Sequence, residues 1–186
     1  ELDVPLIGFA GAPFTLASYA IEGGGSKNYF ETKKLMYGDE GLWNSLMARL
    51  SNAIADYLIA QIDAGAQAVQ LFDSWVGCLS PSDYRRYVMP HSKAIFDKLP
   101  KGTPAIHFGT GNPELYPAIK EAGGDVIGID WRISLDDAWS VLGDGVALQG
   151  NMDPAAIFNL GHGIMPQATP AQARALVDHV HDASQR

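Results

Sequence analysis

Three polar side chains stand in sequence settings that suit contact with a bound ligand: Tyr19, Ser74 and His162. Tyr19 lies in the stretch GFAGAPFTLASYAIEGGGS, residues 8–26, between a run of small residues and three consecutive glycines. Glycine permits a positive φ and lets the backbone come close to a ligand, so this stretch is a candidate binding loop. A surface loop after a short helix is the other interpretation of these glycines.

Ser74 and His162 each follow a short apolar run, in LFDSWVG and NLGHG. A hydroxyl at the end of a strand can hold a ligand, although a serine there also serves as an ordinary turn residue. Phe72 lies two residues before Ser74, so strand alternation places it on the same side, as a wall of the site or as part of the core. His162 stands between two glycines that leave its imidazole unobstructed, whereas a lone histidine is more often a satisfied polar group.

Short apolar runs that end in glycine or a polar residue recur along the chain, and they predict buried parallel strands. The six runs are VPLIGFAG, AVQLFDS, PAIHFGT, DVIGIDW, GVALQGN and IFNLGHG. Helices are predicted between most of them, one with a face marked by Leu or Ile at every fourth position from Leu42 to Leu58. Helix starts are predicted at Ser80-Pro81, Asn112-Pro113, Ser134 and Thr169-Pro170.

This alternation predicts an α/β fold with a parallel sheet, either open and doubly wound or closed into a (β/α)8 TIM barrel. In both architectures ligands bind at the carboxyl ends of the strands. A dinucleotide fold is disfavoured because GTGNPE contains only the first half of the G-x-G-x-x-G pattern. The predicted strand ends hold Phe9, Asp73 with Ser74, His107, Asp130, Gln149 with Asn151, and Asn159 with His162.

Two features indicate that parts of such a barrel are absent from this sequence. Six predicted strands fall short of eight, so we expect about two βα units to precede Glu1. The runs GVALQG and IFNLGHG are separated only by NMDPAA, whereas neighbouring parallel strands need a crossover of about a dozen residues or more. We therefore expect a crossover helix to be missing, with a break close to Ala156 and Ile157.

Composition favours one globular domain over residues 1–186 that binds no nucleic acid and enters no membrane. The formal charge of −8 argues against nucleic acid, whose phosphates need a basic surface. No run is apolar over the length that would span a bilayer, and no signal peptide is visible. Cys78 is the one cysteine, which excludes an internal disulfide and fits the reducing cytosol.

The motifs together resemble the uroporphyrinogen decarboxylase family over essentially the whole chain. The stretch GFAGAPFTLASYAIEGGGS resembles the signature of that family residue after residue. Four further motifs resemble family motifs in the same order: GAQAVQLFDSWVG, GGDVIGIDWR, LQGNMDP and FNLGHG. The resemblance implies the closed (β/α)8 barrel and a carboxy-lyase of porphyrin and haem biosynthesis. The enzymes of this family decarboxylate the four acetate side chains of uroporphyrinogen III to give coproporphyrinogen III, with no cofactor and no metal, usually as cytoplasmic homodimers.

The resemblance also implies roles for individual residues. Tyr19 corresponds to a tyrosine whose hydroxyl contacts the substrate near a reacting acetate, and His162 to a histidine near a substrate carboxylate. Ser74 corresponds to a residue that hydrogen-bonds a carboxylate, and Phe72 is expected to wall the macrocycle. The family's catalytic aspartate and its arginine-rich loop belong to the part expected before Glu1, so we expect residues 1–186 alone to be inactive.

Two alternatives remain at this point. Related methyltransferases of the same barrel superfamily use zinc or a corrinoid and carry a His-x-Cys pair where this chain has His107-Phe108-Gly109. Because the thiolate is replaced by glycine, we interpret His107 as structural and expect no metal site. Cys78 is interpreted as an inert small hydrophobe, and His179 and His181 as surface residues. The other alternative is a non-catalytic tetrapyrrole-binding protein.

Overall fold

The computed structural model describes residues 4–151, together with Ala171 and Arg174, which are helical. Within this part, five parallel strands form one sheet in the order of the chain, β1-β2-β3-β4-β5. The strands are β1 (Ile7–Gly11), β2 (Ala68–Asp73), β3 (Ala105–Gly109), β4 (Val126–Ile129) and β5 (Ala147–Gly150). These are the first five of the six predicted strands, and the sixth lies outside the described residues.

Seven α-helices are described along the same residues, and most are connections between consecutive strands. They are α1 (Pro13–Glu22), α2 (Phe30–Gly38), α3 (Glu40–Asp63), α4 (Pro81–Tyr87), α5 (Met89–Phe96), α6 (Tyr116–Ala122) and α7 (Leu135–Leu142). Short 3-10 turns occupy Val76–Cys78 and Pro113–Leu115. No helix in the described residues is long and apolar enough to cross a membrane.

The predicted helix starts within the described residues are confirmed by their capping contacts. The hydroxyl of Ser80 accepts a hydrogen bond from the amide of Asp83 at the start of α4, and Ser134 accepts one from Asp137 at the start of α7. Such side chains satisfy amides that have no partner inside the helix. Asn112 caps the 3-10 turn that leads into α6, so the start predicted at Asn112-Pro113 lies one turn before the α-helix itself.

The predicted leucine face of α3 is only partly correct. Ile54 and Leu58 are buried against β1 and β2, but Leu42 is 55% exposed. An α-helix has 3.6 residues per turn, so a four-residue spacing drifts around the cylinder and leaves the packed face after a few turns. At the beginning of the helix the buried positions are instead Trp43 and Met47.

The two faces of the sheet differ in what covers them. Val69 and Leu71 of β2 pack against α3, and Ile127 and Ile129 of β4 belong to the core beneath the other helices. The alternate residues point to the opposite face, where Phe9 of β1 is 62% exposed. Helices therefore cover one face of the described sheet, and the other face is the inner face of the predicted barrel.

Strand order decides between the two architectures left open by the sequence. A doubly wound sheet reverses its strand order at a switch point, whereas barrel strands follow one another around the circle. The five described strands run in sequence without a reversal, and each is paired in parallel with the next. The predicted α/β class is confirmed, and the described part has the arrangement of consecutive units of a (β/α)8 barrel.

Candidate functional site at the carboxyl ends of the strands

Tyr19 lies on α1, which begins immediately after β1 at the carboxyl end of the sheet. The amide of Ala12 donates to the carbonyl of Phe72, 2.8 Å away, and this bond ties the start of α1 to β2. Gly23 ends the helix with φ +73 and donates its amide to the carbonyl of Tyr19. This left-handed conformation favours glycine, which explains the first residue of the triple-glycine run. Tyr19 itself is about half exposed.

An aromatic cluster of Tyr19, Trp75 and Tyr29 surrounds this end of α1. The Tyr19 and Trp75 ring centroids are 3.8 Å apart, and those of Tyr29 and Trp75 are 5.2 Å apart. Trp75 follows β2 closely, whereas Tyr29 follows the glycine run. The cluster therefore joins the end of β2 to the segments on both sides of the glycines.

Ser74 lies between Asp73 and Trp75, and it is half-buried. Its neighbour Trp75 contacts Tyr19, so the structure brings Tyr19 and Ser74 to the same edge of the sheet although they are far apart in the chain. His162 lies outside the described residues, and its predicted convergence with the other two stays a prediction. The same is true of the predicted break at Ala156 and Ile157.

Asp73 is the last residue of β2 and is completely buried. Its Oδ1 accepts a hydrogen bond of 3.2 Å from the hydroxyl of Thr15, and its Oδ2 has no partner in the described part of the chain. Burial raises the pKa of Asp73 from its ordinary 3.8 to about 8, and the Thr15 hydrogen bond offsets only part of this shift. A carboxyl group with this pKa is mostly protonated at neutral pH.

A row of three aromatic rings crosses the inner face of the sheet. Phe72 contacts Phe9 on one side, with centroids 5.9 Å apart, and Phe108 on the other, 5.5 Å apart. A Cβ atom at Gly128 would lie 2.8 Å from the Phe108 ring, so the glycine makes space for that ring. Phe72 thus faces the interior, where a wall residue is expected, and Phe9 and Phe108 extend the same apolar surface.

A second polar cluster follows β4 and is centred on Asp130. Its carboxylate accepts hydrogen bonds from Thr110 at 2.6 Å, from the amide of Gly111 at 2.8 Å, and from Arg132 and Tyr116. Burial acts to raise the pKa of Asp130, but the hydrogen bonds from Thr110, Gly111 and Arg132 outweigh it, and the pKa is lowered. Asp130 is therefore ionised, and it pairs with the Arg132 guanidinium.

Arg132 also lies over the ring of Trp131, with its guanidinium carbon 4.0 Å from the centroid. It stands at the carboxyl end of β4, two residues after Asp130, and its side chain is 41% exposed. Because Asp130 holds one side of the guanidinium, the group has a fixed place at this edge of the sheet.

The assignment of His107 and Phe9 to the strand ends is wrong, because each is the middle residue of its strand. His107 is completely buried between the sheet and α6, where its Nδ1 lies 3.2 Å from the carbonyl oxygen of Ile119. Burial lowers the pKa of His107 to about 4, so the imidazole is neutral. This position supports its structural interpretation, since the ring faces the helices and not the inner face.

Cys78, interpreted from the sequence as an inert small hydrophobe, does not supply a reactive thiol to this site. Cys78 is half-buried, and burial raises the pKa of its thiol to about 11, which favours the unreactive protonated form. Within residues 4–151 no group of three or more His, Cys, Asp or Glu side chains is arranged to hold a metal ion. His179 and His181 lie outside the described residues.

Sequence reasoning missed Thr15 and Trp75 as members of the site. Thr15 precedes Tyr19 by four residues, so the two side chains share one face of α1, and this spacing was visible in the sequence. Trp75 adjoins Ser74, but nothing in the sequence shows that its ring stacks on a residue of α1. That contact depends on the packing of α1 beside β2.

Comparison with known protein families agrees with this geometry. The family described as Uroporphyrinogen decarboxylase (URO-D) matches residues 1–158. The chain belongs to the uroporphyrinogen decarboxylase family. A Streptomyces coelicolor uroporphyrinogen decarboxylase is 50% identical over 208 aligned positions, which cover 98% of the chain and 59% of the relative. A uroporphyrinogen decarboxylase of Thermus thermophilus is 48% identical over 99% of the chain and 61% of its own length.

The chain thus spans about three fifths of the length of these curated relatives. The alignment of 208 positions exceeds the 186 residues of the chain, so within the matched range the relatives carry residues that this chain lacks. Among solved structures, a methyltransferase from Methanosarcina mazei superposes with a TM-score of 0.74 over 96% of this chain and 58% of its own. At 19% identity this likeness supports the fold alone.

Proposed function

We propose that the protein carrying this chain is a uroporphyrinogen decarboxylase. It removes carbon dioxide from the four acetate side chains of uroporphyrinogen III and yields coproporphyrinogen III without a cofactor. The observation that carries the proposal is the family match over residues 1–158, with about half of the residues identical to curated uroporphyrinogen decarboxylases. Because the chain corresponds to about three fifths of those relatives, the activity is assigned to the whole protein.

The reaction needs an electron sink, which the substrate itself can supply. Loss of carbon dioxide from a pyrrole acetate leaves an electron pair on a methylene carbon, and a protonated pyrrole ring accepts that pair. The new methyl group then forms by protonation of the methylene carbon, and the ring loses its extra proton. The protein must therefore hold the macrocycle, stabilise a cationic ring and move protons at defined positions.

Four residues of this chain are proposed to take part. Tyr19 contacts the substrate near the reacting acetate, and Ser74 hydrogen-bonds a substrate carboxylate. His162 lies near another carboxylate, and Phe72 walls the macrocycle. Three observations support these roles. The Tyr19 ring is half exposed and stacks on the residue after Ser74, and Phe72 lies on the inner face.

The apolar row of Phe9, Phe72 and Phe108 supports the choice of a large macrocyclic substrate with apolar faces. Aromatic side chains present wide apolar surfaces, and the inner face offers three of them side by side. Arg132 at the carboxyl edge adds a cation close to where substrate carboxylates would lie. We also propose that the protein acts in the cytoplasm as a homodimer, and light scattering after size-exclusion chromatography would test the oligomeric state.

The decisive experiment is anaerobic product analysis of the protein with uroporphyrinogen III, with and without a metal chelator. We expect coproporphyrinogen in both cases. Tyr19→Phe should lower kcat by about 10-fold to 100-fold, because a positioned hydroxyl near the reacting group is lost. Tyr57→Phe is the matched control, since Tyr57 is an exposed tyrosine on α3 and its hydroxyl should not affect the rate.

Two results would contradict the proposal. Stoichiometric zinc together with loss of activity on chelation would favour the methyltransferase alternative. Tight binding of uroporphyrinogen without any product would favour a non-catalytic tetrapyrrole-binding protein.

A further inference from the structure

Asp73 has no role in the proposed reaction, but three of its structural properties set it apart. It is completely buried, it lies at the end of β2 beside the proposed substrate residue Ser74, and it hydrogen-bonds a residue of another element. One of its oxygens has no partner among the described residues. Burial of a polar group lowers the stability of the fold unless the group is fully hydrogen-bonded. The presence of Asp73 at this position therefore needs an explanation.

The hydroxyl of Thr15 connects Asp73 to the segment that follows β2. It donates to Oδ1 of Asp73 at 3.2 Å and accepts from the backbone amide of Trp75 at 3.3 Å. The first turn of α1 is therefore held against the end of β2 on both sides of Ser74. This arrangement fixes the backbone of Trp75 relative to α1.

Tyr19 lies one turn after Thr15 on the same face of α1, and its ring stacks on Trp75 at 3.8 Å. The Thr15 hydroxyl sets the position of the Trp75 backbone, and the Trp75 ring sets the orientation of Tyr19. Hydrogen bonds and one ring contact thus connect four residues, Asp73, Thr15, Trp75 and Tyr19. We call this unit the Asp73 relay.

We propose that Asp73 is a positioning residue that acts in its neutral form and, through Thr15 and Trp75, holds the ring of Tyr19 in its working orientation. The inference rests on the proposed function, because it explains how Tyr19 is oriented toward the substrate. Asp73 itself does not touch the substrate, since no part of it is exposed.

The electrostatic surroundings agree with a neutral Asp73. The ionisable groups that interact with it are Tyr84 of α4 and Cys78 of the 3-10 turn, and burial raises the pKa of both, so neither ionises near neutral pH. Lys33 acts to lower the pKa of Cys78 and Glu22 acts to raise it, and Lys33 donates to the carbonyl of Cys78. The raised pKa of Asp73, about 8, makes it the group of this cluster that changes charge around that pH.

The test compares Asp73→Asn, Asp73→Ala and Thr15→Val in the whole protein. Asparagine keeps a neutral acceptor of the same shape for Thr15, so kcat at pH 7 should stay within about twofold of wild type. Alanine or valine breaks the relay, and kcat should fall by about tenfold or more with little change in KM, because a misplaced catalytic group slows chemistry more than binding. Ser51→Ala is the control for loss of a buried hydroxyl, since Ser51 bonds Met47 within α3.

A second readout does not depend on activity. Near-ultraviolet circular dichroism, with the spectrum of Trp75→Phe subtracted, reports the environment of the Trp75 ring. This signal should change as the pH of the wild type rises through about 8, and it should stay constant in Asp73→Asn. It should already be altered at pH 7 in Thr15→Val.

Two outcomes would overturn the proposal. In the first, Asp73→Asn is as impaired as Asp73→Ala, which would mean that the charge of Asp73 is needed. In the second, Thr15→Val leaves both kcat and the Trp75 signal unchanged. If the protein makes no coproporphyrinogen at all, the proposed function fails, and the dichroism series still decides whether the relay orients Tyr19.

Discussion

Asp73 and Asp130 occupy similar places at the ends of β2 and β4, the two strands on either side of β3, yet they differ in protonation. Each stands at the carboxyl end of a strand and is almost completely buried, and a tryptophan follows closely in the chain. Among the described residues Asp73 has one hydrogen-bond donor, Thr15, and burial raises its pKa to about 8. Asp130 accepts bonds from several donors and from Arg132, and its pKa is lowered.

The difference teaches that burial alone does not determine the charge of a carboxyl group. Desolvation acts against the ionised form of both residues, but Asp130 receives enough donors to outweigh it. The β2 end is consequently neutral and aromatic, whereas the β4 end carries a fixed ion pair. One side of the proposed site thus offers a hydroxyl-bearing ring, and the other a guanidinium that is already paired with a carboxylate.

The largest expected loss of stability from a single substitution follows from removal of the Asp130 carboxylate, which accepts several hydrogen bonds. Asp130→Ala leaves Arg132, Gly111 and Thr110 without their acceptor, and it should lower the free energy of unfolding by about 3 kcal/mol. Urea denaturation followed by far-ultraviolet circular dichroism measures the change.

Asp136→Ala is the matched control, since Asp136 is exposed on α7 close to the same strand end. It should change the stability by less than about 0.5 kcal/mol. Equal losses in the two variants would mean that the hydrogen bonds to Asp130 add little to stability.

The second expected effect is a pH dependence of opposite sign at the two aspartates. Above the unfolded pKa of 3.8, folded Asp73 retains a proton that the unfolded chain releases, up to a pH of about 8. Stability should therefore fall as the pH rises through this window, by up to about 1.4 kcal/mol per pH unit, and Asp73→Asn should remove this slope.

Asp130 should behave in the reverse way, because its folded pKa lies below the unfolded value. The stability it contributes is present above about pH 4 and is lost as the pH falls through its folded pKa. Unfolding curves of wild type, Asp73→Asn and Asp130→Asn between about pH 3 and 8 measure both slopes. If the stabilities of the wild type and of Asp73→Asn changed in parallel with pH across the upper half of this range, Asp73 would be ionised in the folded protein.

The smallest expected effect concerns the two tryptophans that follow these aspartates. A double-mutant cycle of Tyr19→Ala and Trp75→Ala should give a coupling of about 1 kcal/mol, as stacked rings do. The comparison cycle on Trp131 and Arg132 should give about 0.5 kcal/mol, because that guanidinium is partly exposed and already paired with Asp130. A coupling near zero for Tyr19 and Trp75 would remove the aromatic link from the relay.

The contrast between Asp73 and Asp130 could not be predicted from the sequence. Both residues were identified at strand ends from the apolar runs before them. Their donors come from other elements, such as Thr15, which lies 58 positions from Asp73, and Thr110, which lies 20 positions from Asp130. Hydrogen bonds over such separations depend on how helices pack beside strands, and a local pattern does not contain that information.

Local features were predicted well for a physical reason. Ser80 and Ser134 cap helices through amides three residues ahead, and such contacts depend only on neighbouring residues. The prediction that placed His107 at a strand end failed because the strand extends two residues past it. The prediction that placed Leu42 on the packed face of α3 failed because a four-residue spacing does not match the 3.6 residues of a helical turn.

The sequence by itself determined the α/β class, the five strands described between Ile7 and Gly150, the helix caps and the family resemblance. Each of these depends on the order of apolar, small and capping residues along the chain, which is a local property. Only the tertiary structure decided the strand order that indicates a barrel, the face on which Phe72 lies, the contact of Trp75 with Tyr19, and the different charges of Asp73 and Asp130. These depend on burial and on donors brought together from distant segments, because a group's charge and orientation follow from everything that surrounds it in the folded chain.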